Sequence, residues 1–176
     1  MTSFPYSVDE FMRNLMLVAD EPNPWKVRQK FEEAFKTKFS HFHRYDTGHK
    51  SSQWIKMDCE WYAVVSVSIN NTEANRTYAR SMVEIRANSI ADIKANRESV
   101  LEFAQADNVV CLTPETMTRL LRADGWGGGV AYFEASVSLA YQKPDVAIEA
   151  TLGGPPNPGD RATCVSYIKI RFTNPN

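Results

Sequence analysis

The run QWIKMDCEWYAVVSVSIN, residues 53–70, decides how the rest of the chain is read. Ile55, Met57, Cys59, Trp61, Ala63, Val65, Val67 and Ile69 alternate with Lys56, Asp58, Glu60, Tyr62, Val64, Ser66 and Ser68. A strand turns successive side chains to opposite faces, so this pattern predicts one long strand with an apolar face and a mostly polar one. The apolar face needs a cover, and the flanking segments supply helices for it.

Upstream, Ser7 and Glu10 form a capping box ahead of Val8, Phe11, Met12, Leu15 and Val18 at helical spacing, which predicts a helix over residues 8–20. Asn23 as cap and Pro24 at the first helical position predict a second helix to residue 39. Its stripe of Val27, Phe31, Ala34 and Phe35 reads as core rather than as a ligand box.

Downstream, turn-forming residues 70–75 and the alternation of Ala79, Val83 and Ile85 predict a hairpin partner strand over 78–87. Ser89 with Asp92, followed by Ile90, Ile93, Val100, Leu101 and Ala104, predicts a third helix over 90–105. Thr113 and Pro114 cap a short fourth helix carrying Met117, Leu120 and Leu121, with Gly125 as its stop. Alternation then returns in Ala131 to Tyr141, in Val146 to Leu152 and in Cys164 to Phe172. Between the last two lies GGPPNPGD, residues 153–160, too proline-rich to join a ladder. The expected fold is a single α+β domain spanning residues 1–176: a mostly antiparallel sheet of about five strands, with an N-terminal helix pair and a second helix pair packed on it.

Composition narrows the function classes. With 20 basic and 21 acidic side chains among 176 residues, the net charge is -1, so no global field draws the chain to a polyanion or an anionic membrane. Cys59, Cys111 and Cys164 are an odd number, widely spaced, and read as buried free thiols. No apolar run approaches the roughly 20 residues of a membrane span, and the N-terminus lacks the basic and small-residue pattern of a signal peptide. A reducing cytoplasmic setting is expected, in which the N-x-T sequences at Asn70 and Asn75 carry no glycan.

Candidate sites were weighed against plainer readings. Gly125-Trp126-Gly127-Gly128-Gly129 follows a helix and precedes a strand, the reverse of a phosphate loop, and reads as a helix stop and strand entry in which an exposed Trp126 offers a contact surface. His41 and His43, with Asp46 or His49, are candidate metal ligands in a polar connection whose plain reading is a solvated loop. No metal or cofactor is expected. Lys26, Arg28, Lys30, Lys36, Lys38, Arg44 and Lys50, interleaved with Phe42, Tyr45 and Trp54, read either as a single-stranded nucleic-acid surface or as the wet side of the second helix. Asp58 and Glu60 read as solvent face, and no G-x-S-x-G, H-E-x-x-H or C-x-x-C occurs, so the expectation is a protein without catalytic residues. Lys30, Lys36, Arg44, Trp126, Pro155, Pro156 and Asn157 are the candidate interaction residues.

In its order of elements the chain resembles the tail-terminator and tail-completion proteins of tailed phages. The likeness rests on a helical start, a long hairpin over 55–87, a helical pair over 90–123 and closing strands over 163–172. The second N-terminal helix and the GGPPNPGD hairpin depart from it. The resemblance implies a homo-oligomeric, ring-forming subunit, a hexamer, seated at the end of a tail tube among other structural proteins, with no catalytic residues to transfer. The alternative is a small ligand- or nucleic-acid-binding α+β domain using residues 26–54.

Overall fold

The computed structural model describes residues 4–23, 26–39, 43–45, 50–55, 63–71, 79–87, 100–133, 136–153 and 164–172; over 43–80 and at 109, 133 and 136 the description is of the backbone alone. Two helices open the chain, and the first is capped. In α1 (Val8–Ala19) the Ser7 hydroxyl accepts the Glu10 amide at 3.2 Å, as the capping box predicts. The expected stripe is the buried one: Phe11, Met12, Leu15 and Val18 are all fully covered. The second helix, α2 (Val27–Ala34), is shorter than predicted at both ends: Lys26 and not Asn23 stands at its N-cap position, with no side-chain cap, and Phe35 ends it as Lys36 turns left-handed at φ 50°. Its Val27 and Phe31, with Phe35, are core as expected.

Strands β1 (His43–Tyr45), β2 (Lys50–Ile55), β3 (Ala63–Asn71) and β4 (Ala79–Ala87) form one antiparallel meander. The run over residues 53–70 is therefore not one strand. Ile55 stands opposite Val65 and Gln53 opposite Val67, so the two ends of the run are antiparallel neighbours. Residues 56–62 lie outside the described ones. The apolar face survives the correction: Val65 and Val67 are in register with Ile85 and Val83, which are fully buried, and directly opposed residues share a face.

A small hairpin of β5 (Glu102–Gln105) and β6 (Asn108–Cys111) replaces the second half of the expected third helix. Leu101 and Phe103 are buried while their neighbours are not, a period of two rather than 3.6. Ala106, left-handed at φ 50°, turns the chain between the strands. Residues 90–99 of that expected helix lie outside the described ones. Helix α3 (Pro114–Ala123) follows as predicted, with the Thr113 hydroxyl accepting the Thr116 amide at 3.3 Å and Gly125, at φ 87°, ending it.

The chain closes with β7 (Gly127–Phe133), β8 (Ser136–Lys143), β9 (Val146–Gly153) and β10 (Cys164–Phe172), a second antiparallel meander. The two meanders join through β4 and β10, giving one eight-stranded sheet in the order β1-β2-β3-β4-β10-β9-β8-β7. The α+β, antiparallel expectation holds, with a wider sheet because two expected strands are each a pair and β1 adds one more in the stretch read as a polar connection. All described helices contribute to one core on one face of the sheet, where Phe4, Phe11, Phe31, Phe35 and Phe103 pack with ring centroids 4.4–5.6 Å apart in successive contacts.

One expectation about cysteine is overturned. Cys111 and Cys164 are joined in a disulfide, with Cα atoms 5.8 Å apart, and are not free thiols. The cause lies in the backbone: Val165 donates its amide to Leu112 O and accepts from Leu101 N, both at 2.8 Å, which brings the end of β6 against the start of β10. Cys59 lies outside the described residues. No helix among the described residues is long and apolar enough to cross a membrane.

Candidate functional site

An eight-stranded open sheet has two edges, and here they differ. One is β1, only three residues long. The other is β7, seven residues, GGGVAYF, paired on one side with β8 and on the other with nothing among the described residues. Natural edge strands are guarded by charge, proline, bulges or short length, because a row of unpaired amides and carbonyls recruits another strand. Strand β7 has none of the first two and is not short.

The apolar character of β7 extends to its side chains. Val130 stands opposite buried Leu139, and Tyr132 opposite Val137, so Val130 and Tyr132 belong to the helix-bearing face. Val130 and Val137 still pack against the core, whereas Tyr132, beyond the reach of the helices, is 73% exposed. Of the described large hydrophobic side chains, only Leu17 and Tyr132 are so exposed. The start of the strand is held from inside: Arg122 of α3 donates through Nε and Nη2 to the Gly128 carbonyl at 3.3 and 3.1 Å.

The opposite face of the sheet carries charges of both signs. Lys169 of β10 stands between Glu84 of β4 and Glu149 of β9, directly opposite each, and Arg171 pairs with Glu149. Tyr167 donates to Glu84, and Arg86 lies 5.0 Å from its ring centroid. Burial first, then the hydrogen bond to Glu84 and that group's charge, push the Tyr167 phenol up to about 12, while Arg86 pulls the other way. On and just past α2, Arg28 and Lys38 lie 3.4 and 3.5 Å from the two oxygens of Glu32.

A cleft of about 200 Å³ sits where α1 ends against the turn between β8 and β9. Its rim acids are occupied, Asp20 by Lys143 at 3.9 Å and Glu21 by the Asn23 amide at 3.1 Å.

The candidate interaction residues do not gather. Trp126, expected to be exposed, is 3% exposed: its indole donates to Asp124 at 3.2 Å and Lys143 Nζ lies 5.2 Å from the ring centroid. Glycine on both sides suggested freedom, yet the helix stop turns the ring inward. Lys30 is half-buried on α2, Lys36 is exposed just past that helix, and Arg44 is in β1 opposite Ser51. Of the histidines, His43 is in β1, while His41 and His49, like Pro155, Pro156 and Asn157, lie outside the described residues. The sequence reading missed Tyr132 and the β7 edge by merging β7 and β8 into one strand; the signal available was a seven-residue run without charge, GGGVAYF. No family model, no curated protein and no solved structure matches the chain.

Proposed function

We propose that the chain is a non-enzymatic assembly subunit that joins other protein copies through the open β7 edge. The observation that carries this reading is the edge itself, a seven-residue uncharged strand bearing a tyrosine that is 73% exposed. Pairing along it would satisfy backbone groups and cover Tyr132 together.

The finer reading is a tail-terminator or head-tail connector component of a tailed phage, within a ring at the end of a tail tube. The helical start, the β3–β4 hairpin and the closing strand β10 support it. The hairpin of β5 and β6, where the likeness calls for helix, counts against it. The Cys111–Cys164 bond supports a particle that is released to an oxidising exterior over one confined to a reducing cytoplasm.

Native mass spectrometry tests the assembly reading. A defined multimer is expected, and Tyr132→Lys, which places a charge on the edge, is expected to reduce it to monomer with an unchanged far-ultraviolet circular dichroism spectrum. A strictly monomeric native chain, or a Tyr132→Lys variant that assembles as before, overturns it.

A further inference from the structure

Strand β7 is not merely unpaired on its outer side among the described residues; its sequence is complementary to itself when reversed. Glycines fill its first three positions and aromatic residues its last two, Tyr132 and Phe133. An antiparallel copy runs the other way. When two copies of β7 pair about a two-fold axis, all seven residues find partners only in the register centred on Val130. Gly127 then stands opposite Phe133 of the second copy, Gly128 opposite Tyr132, Gly129 opposite Ala131, and Val130 opposite itself.

Three physical consequences favour this register. Tyr132 stands across from Gly128, which has no side chain to resist its ring, and ring and glycine of this kind stabilise each other on sheets. No residue of β7 is charged, so the two-fold axis brings no like charges together. Tyr132 shares its face with Val130, so pairing continues the apolar face from one copy to the next. The other available edge offers less: a head-to-tail contact of β7 with β1 is limited to the three residues of β1.

We infer that the partner of this edge is a second copy of the same chain, joined antiparallel through β7 in the Val130-centred register, making one continuous sheet across a two-fold dimer. This rests on the assembly reading and sharpens it: larger assemblies are built from pairs and hold even numbers of copies.

The test is a cysteine placed on the axis. Opposed residues in an antiparallel pair have Cα atoms about 4.5 or 5.5 Å apart, and both distances suit a disulfide. In the full-length chain carrying Cys59→Ser, Val130→Cys is expected to give a covalent dimer as its main species with oxidised glutathione, reversed by dithiothreitol. Ala131→Cys, whose own copy is displaced along the strand, is expected to stay uncrosslinked. In the unsubstituted protein, amide exchange in β7 is expected to slow at least tenfold on passing from a dilute monomer to the multimer, a measurement that does not depend on either variant folding. A multimer of the unsubstituted chain without the Val130→Cys link, or with equal linking by Ala131→Cys, overturns the register and leaves the assembly reading standing. A chain that is monomeric at every concentration, with unprotected β7 amides, overturns both.

Discussion

Lys143 Nζ of β8 lies 2.9 Å from Asp124 Oδ2, the residue that ends α3. The same ammonium is 3.9 Å from Asp20 Oδ1 at the end of α1 and 5.2 Å from the Trp126 ring centroid. One cation thus ties two helix ends and a buried indole to the sheet, and its side chain is only 23% exposed. Exposed ion pairs contribute little singly, but a shared, partly covered cation over an aromatic ring contributes more. Lys143→Met keeps the stem and removes the charge; it is expected to lower stability by about 1 kcal/mol. Urea unfolding checks it, and added salt is expected to narrow the gap between variant and native protein.

The Cys111–Cys164 bond closes a loop with a sequence separation of 53, which restricts the unfolded chain far more than the folded one. The loop-entropy estimate is about 4 kcal/mol. Cys164→Ser, or reduction of the native protein, is expected to lose stability of that order. Guanidinium unfolding with and without dithiothreitol measures it, and Cys164→Ser is expected to be insensitive to the reductant.

The raised pKa of Tyr167 has a definite sign. Folding holds the phenol protonated up to about 12 against an ordinary value of 10.0, so the folded chain binds the proton more tightly than the unfolded one. The resulting stabilisation is fully present below pH 10 and is lost as the pH rises toward 12. Tyr167→Phe is expected to remove that part of the alkaline decline. Tyrosinate absorbance titrations of the two proteins, compared by difference, are expected to show one phenol fewer ionising in the highest-pH step.

Much of this architecture is legible in the residues, and the misreadings share a cause. Ser7 and Thr113 announce their helices because capping is local chemistry between neighbours in the chain. Alternation marks β4, β9 and β10 correctly, but it does not count strands. A chain that reverses between antiparallel neighbours goes on alternating, so β2 and β3 read as one run, as do β7 and β8. Neither stretch, KMDCEWY over 56–62 nor Glu134-Ala135, carries the Asn, Gly or Pro by which the recognised turns announced themselves. Val100, Leu101 and Ala104 fit a helical stripe only until the burial of Leu101 and Phe103 shows a period of two. The Cys111–Cys164 pairing depends on β6 meeting β10 far along the chain, which no local pattern records. The open edge was hidden for the same reason as the strand count: an edge exists only once the order of strands is known.

Two left-handed glycines flank Trp126 within three positions, and they are not equivalent. Gly125, at φ 87°, has only Lys143 Cε within 4.0 Å of where a β-carbon would stand, so alanine there meets space and bears only the left-handed backbone penalty of about 1–2 kcal/mol. Gly128, at φ 95°, bears the same penalty, and its β-carbon would also be driven into the Ala140 carbonyl oxygen of β8 and to 3.0 Å from Tyr141 Cα. Backbone on both sides cannot yield as a flexible side chain does. Gly128→Ala is therefore expected to destabilise the chain by at least about 1 kcal/mol more than Gly125→Ala. The excess falls on the β7–β8 ladder and on the Arg122 bonds to the Gly128 carbonyl. With copies pairing through β7 as proposed, hydrogen exchange of Gly128→Ala is expected to show loosened β7 amides and its native mass a weakened multimer. Gly125→Ala is expected to assemble normally despite its lower stability. Equal losses in the two variants would place the strain in the helix stop rather than at the sheet edge.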